Sequence, residues 1–344
     1  MPRLDAVIVG GGVIGLSAAW RASQRGLRVR VLERAAPGAG ASRAAAGVLA
    51  PDPQTPGFTA LARASAERWR AFAHELGDVG YERCGSLVLR FGGDDVAFAG
   101  EPLTAAQVRR LEPGVAADCT GGVLLREDAQ VDPRRVVAAL ASLLGDAVAV
   151  GADVAAVDEG GATLRDGTRV EAGRVVLAAG AWAAQELAPD LPVVPVKGQT
   201  IRLAGPPPAA RIVRSEHVYV VPRAKRETVV GATIERAGFD DAPRREATES
   251  LLRQVVRALP AAAALEVVEQ SAGLRPGTPD DAPLLGDWNG VLVAGGHYRN
   301  GVLLAPITAE FVAATLAGEP PPPETRPFSP GRFAPGSDPG LTPL

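Results

Sequence analysis

Three glycines near the start of the chain have the spacing of a dinucleotide-binding turn. Gly10, Gly12 and Gly15 form the pattern Gly-x-Gly-x-x-Gly, and Glu33 follows the next apolar run. In such a turn the first glycine permits a sharp bend, the second lets the backbone approach a pyrophosphate, and the third allows close packing of helix and strand. An acid at that distance accepts hydrogen bonds from ribose hydroxyls. The pattern predicts a dinucleotide site and leaves the choice between NAD and FAD open.

The residues around this motif predict the strand, helix and strand that the turn requires. Residues 4–9 form a short apolar run, residues 16–24 repeat apolar side chains at helical spacing, and residues 27–32 form a second apolar run. Three such elements make one βαβ unit. The first N–H groups of the helix would then point at the phosphates, and the helix dipole would favour their negative charge.

The rest of the chain predicts two kinds of sheet. Buried strands of the first type return at 175–177 and 291–294, and residues 147–170 predict a β-meander. The strands expected in a different sheet are 193–203, 218–221, 228–234 and 265–274. The helices expected are 59–76, 104–111, 133–144, 247–259 and 301–316. The pattern predicts an α/β protein, α+β overall, in which a Rossmann-like nucleotide-binding domain is interleaved with a mainly antiparallel-sheet domain.

Composition and charge exclude several classes of protein. The 344 residues are 47% hydrophobic and 22% charged, which is ordinary for a globular chain and rules out general disorder. A net charge of −3 gives no electrostatic reason to expect nucleic acid or an anionic membrane as a partner. The two cysteines and three histidines lack metal-binding spacings, so neither a disulfide framework nor a metal site is predicted. We therefore expect a reducing, cytoplasmic location.

Several further segments become informative when they are taken together. In chain order they are Ala-Ala-Ala-Gly-Val-Leu-Ala at 44–50, Pro-Val-Lys-Gly-Gln at 195–199, His-Val-Tyr-Val-Val-Pro-Arg at 217–223, Val-Val-Gly-Ala-Thr at 229–233, Ala-Gly-Leu-Arg-Pro-Gly-Thr-Pro-Asp at 272–280 and Ala-Gly-Gly-His-Tyr-Arg-Asn-Gly-Val-Leu-Leu-Ala-Pro at 294–306. With the glycine turn, this series closely resembles the glycine oxidase branch of the D-amino acid oxidase family. The resemblance extends from about residue 5 to about residue 316.

This resemblance implies a flavoenzyme that oxidises a small amino acid. It implies non-covalently bound FAD, with a mainly antiparallel sheet covering the flavin ring. The implied reaction turns glycine, and also sarcosine or small D-amino acids, into an imine, while dioxygen reoxidises the flavin and gives hydrogen peroxide. The imine feeds thiazole synthesis for thiamine or hydrolyses to glyoxylate and ammonia. The implied partners are the amino acid and dioxygen, without nucleic acid or membrane, in a homo-oligomer that is often a tetramer.

The elements and the resemblance together divide the chain into two domains and a tail. The segments assigned to the FAD-binding domain are 1–55, 120–185 and 268–318. The segments assigned to the substrate domain are 56–119 and 186–267. Residues 319–344 form a proline-rich tail that is expected to contain neither helix nor strand.

Three side chains match the family's substrate-binding positions. Arg275 matches the arginine that grips the substrate carboxylate, a task that suits the planar guanidinium because it donates two parallel charge-assisted hydrogen bonds. Tyr219 matches the tyrosine whose hydroxyl donates to the same carboxylate. Arg299 matches a second arginine that closes over the carboxylate or faces the flavin. We assign these three residues to catalysis.

The glycine turn and the resemblance together assign a larger set to cofactor binding. The set is Gly10, Gly12, Val13, Ile14, Gly15, Glu33, Arg34, Ser42, Ala45, Ala46, Gly47, Leu49, Val154, Ala179, Gly180, Gly296, Arg299, Asn300, Gly301, Val302 and Leu303. Leu49 and Ile234 stand where family members carry methionine, so both are expected in an apolar pocket wall. The last helix, starting near Gly301, is expected to point its positive end at the flavin.

The sequence departs from the family at one position and leaves the electron acceptor open. Family members often carry a second tyrosine just before the strand of Tyr219, where this chain has Ile-Val-Arg-Ser at 212–215, so a pocket that is more open or differently charged is expected. No general base is evident, and an apolar pocket could deliver the neutral amine by lowering the ammonium pKa. The alternatives are a D-amino acid dehydrogenase that passes electrons to a quinone, and a nucleotide-binding protein without redox turnover.

Overall fold

A computed structural model of the chain describes residues 3–51, 57–92, 98–224 and 226–333. Its helices are α1 (Val13–Gln24), α2 (Ala41–Ala44), α3 (Thr59–Leu76), α4 (Ala105–Leu111), α5 (Pro133–Leu144), α6 (Arg245–Ala258) and α7 (Gly301–Ala317). Its strands are β1 (Leu4–Val9), β2 (Val29–Glu33), β3 (Val48–Leu49), β4 (Ser86–Arg90), β5 (Glu101–Thr104), β6 (Gly121–Leu125), β7 (Ala129–Gln130), β8 (Val148–Val150), β9 (Val154–Asp158), β10 (Gly161–Leu164), β11 (Arg169–Leu177), β12 (Val194–Ala204), β13 (Ile212–Arg214), β14 (Tyr219–Arg223), β15 (Glu227–Gly231), β16 (Glu266–Gly277), β17 (Leu284–Trp288) and β18 (Val291–Gly295).

The first sheet is mainly parallel and contains the predicted βαβ unit. Its strand order is β17-β18-β11-β1-β2-β8, and the β9–β10 hairpin extends from β11. Strand β1 is parallel to β2 and to β11. The β11–β18 and β2–β8 pairs are also parallel, whereas β17 is antiparallel to β18. Parallel strands are covered on both faces, which explains why β1 and β18 are nearly continuous apolar runs. The predicted fold class is confirmed.

Helices α1, α3, α5 and α7 cover one face of the first sheet. Their buried side chains form one apolar cluster with alternate residues of β1, including Ala6 and Ile8. The intervening residues, Val7 and Val9, belong to a separate cluster on the opposite face, as the two-residue period of a strand requires. Among the described residues, no helix is both long enough and apolar enough to cross a bilayer.

A proline interrupts helix α7 and is compensated by α3. Pro306 lies inside α7 and has no N–H to donate. Nearby, the carbonyl oxygen of Leu303 accepts hydrogen bonds from Ser65 Oγ at 2.7 Å and from Trp69 Nε1 at 2.9 Å. The N–H of Ile307 donates to Ser65 Oγ at 3.4 Å. The Ser65 hydroxyl thus bridges the interrupted helix and fixes the first turn of α7 against α3.

The second sheet is mainly antiparallel and carries side chains on two different faces. Its order is β16-β12-β15-β14-β13-β4-β6-β5, and only the β13–β4 pair is parallel. On one face, residues such as Val220 pack with α6 and α4 in an apolar core. Tyr219 and Val221, the neighbours of Val220 along β14, belong to a cluster on the opposite face. The alternation along β14 therefore directs Tyr219 away from the core of this sheet.

The structure differs from the sequence-based assignment of domains in several segments. Strands β6 and β16 pair within the second sheet, although their residues were assigned wholly or largely to the FAD-binding domain. Helix α3, assigned to the substrate domain, packs in the core beside the first sheet. Strand β8 pairs with β2 instead of joining a meander, whereas β9, β10 and β11 do form one. Which sheet a strand joins depends on partners that lie far along the chain. The exact division of the chain into domains stays a prediction.

Two segments expected to lack regular structure contain short elements. The alanine, glycine and proline content of residues 36–56 predicts an extended loop, but the described part of this segment contains α2 and β3, and residues 52–56 lie outside the described residues. In the tail, residues 323–328 and 330–333 form 3-10 turns, so the expectation of a tail without helix is wrong there. Phe328 is buried with its ring edge-on to Phe58 at 5.9 Å, and Arg332 pairs with Asp280 at 2.8 Å. These tertiary contacts order a proline-rich sequence; residues 334–344 lie outside the described residues.

Candidate active site

A cavity of about 1010 Å³ lies between the glycine turn of the first sheet and the open face of the second sheet. Its walls include the turn after β1, the end of β2, the α2 segment, strands β13, β14 and β16, and the start of α7. This volume is at the upper limit for a small-molecule site, as a site for a dinucleotide with a small substrate would need. The carboxyl ends of parallel strands are the usual place for such a site.

The turn after β1 has the geometry of a phosphate cradle. Gly10 has a φ of +108°, and a Cβ there would lie 2.5 Å from the carbonyl oxygen of Ala178, so only glycine fits. Helix α1 begins after Gly12 without a side-chain cap or an acid in its first turn. The N–H of Val13 donates to Ser42 Oγ at 3.1 Å, which places a hydroxyl at the helix terminus. The available donors and the dipole fit a pyrophosphate.

The acid after β2 anchors the backbone of the cradle. Glu33 accepts hydrogen bonds from the N–H of Gly11 at 2.7 Å and of Ala35 at 2.8 Å. It also lines the cavity, where its carboxylate oxygens can accept a ribose hydroxyl. Beside it, Arg34 stacks on Trp182 at 4.4 Å. Trp182 lines the cavity and was missed in the sequence because no local motif marks it.

The start of α7 and the α2 segment face each other across the cavity. Helix α7 begins after Asn300 with no side-chain cap and no acid in its first turn, so its N–H groups and positive dipole end are available. Opposite lie the small residues Ala45 and Ala46, whose backbone is held from the second sheet. Thr200 Oγ1 donates to the carbonyl of Ala44 at 3.0 Å, and Arg223 donates to the carbonyl of Ala46. This space admits a flat ring between small side chains and a helix N-terminus.

Arg275 and Tyr219 lie side by side at the second-sheet end of the cavity. Two glycines leave room for them: a Cβ on Gly198 would lie 2.1 Å from Arg275 Nη1, and a Cβ on Gly231 would lie 2.6 Å from Tyr219 Oη. Arg275 Nη1 donates to the carbonyl oxygen of Thr233 at 3.0 Å. Burial lowers the pKa of the Arg275 guanidinium and raises the pKa of the Tyr219 phenol. The hydrogen bonds orient an arginine whose remaining N–H groups can bind an anion.

Arg299 and Arg214 add two more guanidinium groups to this part of the cavity. Arg299 lies over the ring of Tyr298 at 5.0 Å and donates to its hydroxyl at 3.3 Å. Arg214 lies on β13 directly across from Tyr219 and pairs with Asp128 at 3.4 Å. Burial lowers the pKa of the Arg214 guanidinium. The sequence marked the segment of Arg214 as unusual but did not assign this residue to the site.

The structure brings most of the predicted site residues together on the cavity wall. The predicted residues that line it are Gly10, Gly12, Val13, Ile14, Glu33, Arg34, Ser42, Ala45, Ala46, Gly47, Val154, Ala179, Gly180, Tyr219, Arg275, Arg299, Asn300, Gly301 and Val302. Their individual roles stay predictions.

Four predicted cofactor residues and one predicted wall residue lie elsewhere. Gly15 packs against the Gly10 carbonyl, and Gly296 packs against Thr278 and Leu284. The others are Leu49 and Leu303, which are buried in the helix-covered core, and Ile234, which is 57% exposed to solvent. The four cofactor positions each lie one residue away from a residue on the wall, a distinction that the sequence pattern could not make.

The two histidines near the motifs differ in environment. His297 is buried, and its Nε2 lies 3.0 Å from Thr308 Oγ1. Burial lowers the pKa of His297 to about 3, so the ring is neutral at ordinary pH. His217 is exposed and has Glu216 at 3.6 Å. In the part of the chain that the structure describes, no group of three or more potential ligands is arranged to hold a metal ion.

This combination of a dinucleotide cradle and a cation-lined second-sheet face is that of a flavin-dependent oxidoreductase. The chain belongs to the family described as DAO, FAD dependent oxidoreductase, whose family model matches residues 5–315. Its cofactor is FAD, and the predicted resemblance to glycine oxidase is confirmed.

Individual relatives extend this family assignment. The chain is 32% identical to "Glycine oxidase" of Bacillus licheniformis, over 92% of this chain and 94% of the relative. It is 36% identical to "Bifunctional protein ThiO/ThiG" of Trichormus variabilis, over 90% of this chain but 52% of the relative, so it spans about half the length of that protein. The crystal structure of glycine oxidase from Geobacillus kaustophilus superposes with a TM-score of 0.89 at 30% identity, covering 96% of this chain and 99% of that chain.

Proposed function

We propose that this protein oxidises glycine, and with it sarcosine or small D-amino acids, using dioxygen as the electron acceptor. The net reaction on glycine consumes dioxygen and water and gives glyoxylate, ammonia and hydrogen peroxide. The observation that carries the proposal is the pairing of Arg275 with Tyr219 on the cavity wall. Arg275 donates hydrogen bonds to the uncharged backbone carbonyl oxygens of Lys197 and Thr233, so its charge is available for the carboxylate of an amino acid.

The residues on the opposite wall would hold the cofactor without a covalent bond. The turn at Gly10–Gly12 and the start of α1 suit the pyrophosphate, Glu33 suits the ribose, and the start of α7 suits the flavin ring. When bound, FAD supplies a two-electron acceptor for the substrate and a donor for dioxygen. The positive end of α7 would stabilise negative charge on that ring.

The protein's part in the chemistry is to orient the substrate and to favour its neutral amine. The Tyr219 hydroxyl and the Arg275 guanidinium would hold the carboxylate, which leaves the amine and the α-carbon facing the ring. Arg275, Arg299 and Arg214 place positive charge around the site, and like charge together with desolvation lowers the pKa of a substrate ammonium group. The amine would therefore lose its proton to water without a dedicated side-chain base.

The cellular role follows from the same relatives and stays within the proposal. Similarity to proteins named ThiO/ThiG supports a role in thiazole synthesis for thiamine. We also infer a homo-oligomer, a tetramer by family resemblance, and a cytoplasmic location.

Neither of the free cysteines, Cys84 and Cys119, is exposed, and burial raises the pKa of both thiols.

Anaerobic reduction of the purified holoprotein tests the proposed reaction. Glycine should bleach the absorbance of the oxidised flavin, and admission of air should restore it with release of hydrogen peroxide. Bleaching without peroxide would instead support a dehydrogenase that uses a quinone. A flavin that glycine, sarcosine and D-alanine all leave oxidised would overturn the proposal. Release of free FAD on denaturation would support non-covalent binding.

A further inference from the structure

Arg214 introduces a third cation at the substrate end of the cavity. It stands opposite Tyr219 in the β13–β14 pair, and side chains in directly opposed positions lie about 5 Å apart at Cβ. Positive charge on Arg275, Arg299 and Arg214 acts on the Tyr219 phenol to lower its pKa, against the larger effect of burial. The three guanidinium groups therefore surround one hydroxyl.

Acidic side chains also line the described part of the cavity, among them Asp241, Asp280 and Asp281. Asp128 pairs with Arg214, and Asp280 pairs with Arg332 outside the substrate end. Asp281 lines the cavity, and burial raises the pKa of its carboxyl although Arg299 opposes the rise. With one substrate carboxylate bound by Arg275, Arg214 and Arg299 are the other two guanidinium groups on the described wall at this end of the cavity.

The contacts of Arg214 leave N–H donors that can bind a ligand. Its guanidinium lies over the ring of Phe98 at 4.7 Å, and its Nη1 donates a hydrogen bond to Asp128 at 3.4 Å. An arginine has five N–H donors in a fixed fork. Arg214 lines the cavity, so its remaining N–H donors can meet an anionic group of a bound substrate.

We propose that Arg214 is a specificity-determining residue that binds a second carboxylate of the substrate. The preferred substrates would be small amino acids with two carboxylates, either on the nitrogen substituent or on the side chain. This inference rests on the proposed amino acid oxidation, since it changes only which amino acid is taken. With N-carboxymethylglycine the net reaction consumes dioxygen and water and gives glyoxylate, glycine and hydrogen peroxide.

Matched acid and amide substrates test this proposal on the holoprotein. The two pairs are N-carboxymethylglycine with its monoamide, and D-aspartate with D-asparagine. The acid and the amide of each pair have nearly the same size, but the amide lacks one negative charge. We expect kcat/KM for the acid to exceed that for the amide by about 10- to 100-fold in at least one pair, as a charge-assisted hydrogen bond to arginine predicts. The pair that responds identifies where the second carboxylate lies.

Variants of Arg214 separate substrate binding from a purely structural role. Arg214→Met combined with Asp128→Asn removes the cation without leaving a buried acid unpaired, and it should bring the acid-to-amide ratio to about 1. Arg214→Lys keeps the charge and should retain a ratio of several-fold. The ratio is measured on one enzyme preparation, so a general loss of activity or folding cancels.

Two results would overturn the inference, and neither depends on the proposed function failing. A wild-type ratio near 1 in both pairs would show that a second charge is not recognised. A ratio that survives the double substitution would show that another group recognises it. Failure of the proposed function itself looks different, since glycine would then leave the flavin oxidised as well.

Discussion

Replacing Arg275 with methionine removes the proposed carboxylate grip while leaving a side chain of similar length. A bidentate pair makes two hydrogen bonds to a charged group, each of about 1.5–3 kcal/mol. Tyr219 would retain part of the hold, so we expect a loss of about 3–4 kcal/mol, or about 10²- to 10³-fold in kcat/KM for glycine. Arg275→Lys keeps the charge but loses the planar guanidinium, so its kcat/KM should lie between those of the wild type and Arg275→Met.

The structure indicates that the protein should still fold without this guanidinium. Arg275 donates to the carbonyl oxygens of Thr233 and Lys197, and no described carboxylate is left unpaired by its removal. The assay is anaerobic flavin reduction in a stopped-flow instrument over a range of glycine concentrations. The matched control is Arg202→Met on β12, a buried arginine outside the cavity that pairs with Glu227; it should lower thermal stability and leave the glycine kinetics within about twofold.

An active Arg275→Met variant would contradict the proposed role of Arg275. If Arg275→Met retains kcat/KM within about threefold of the wild type, with FAD bound, then another group holds the substrate carboxylate. A loss of bound FAD in this variant would point to a role in the cofactor site instead. The visible spectrum of the purified variant distinguishes these cases before any kinetics are measured.

Three further predictions concern the cradle, helix α7 and a surface ion pair. Gly10→Ala forces a Cβ against a carbonyl oxygen 2.5 Å away, so the purified protein should contain little FAD by its ratio of flavin to protein absorbance. Ser65→Ala removes the hydroxyl that donates to the Leu303 carbonyl, and urea unfolding should show a loss of about 1–3 kcal/mol. Glu269 pairs with Arg134, whose hydrogen bond lowers the pKa of Glu269 to about 2. Glu269→Gln should therefore cost about 0.5–1 kcal/mol at pH 7, the usual range for an ion pair at the surface.

Each of these has a contradicting result. A normal flavin content in Gly10→Ala would show that the turn adapts to a side chain. An unchanged unfolding free energy in Ser65→Ala would show that the Trp69 donor suffices for α7. For Glu269, a depressed pKa contributes stability above about pH 4.5 and loses it as the pH falls through about 2. The difference between Glu269→Gln and wild type should shrink over that range, and a constant difference would contradict the ion-pair explanation.

The sequence predicted the elements best where local patterns determine them. Helix α3 spans Thr59–Leu76 as expected, because its apolar spacing and the Gly77 that follows set both limits. The β1–α1–β2 unit was found for the same reason, since its glycines and apolar runs lie within one short segment. The site on the first sheet follows from that unit, because the cradle is built from consecutive residues.

The remaining features depend on contacts between distant parts of the chain. Arg214 reaches the cavity because β13 pairs with β14 in a register that sets it opposite Tyr219. Ile234 lies between Thr233 and Glu235, which both hydrogen-bond to β12, yet its side chain is exposed to solvent. The turns after Pro322 are held by Phe58, far away in sequence. None of these partners can be identified from spacing along one segment.

The bridge between Ser65 and the Leu303 carbonyl has a consequence for biosynthesis. Residues on either side of this contact are 238 positions apart, and β18, which lies between β11 and β17, comes just before α7. On the ribosome the glycine turn emerges early, but the helix end that faces the flavin becomes available only when most of the chain has been made. We therefore expect cofactor binding to require nearly the whole chain, because the pocket is incomplete until α7 packs against α3.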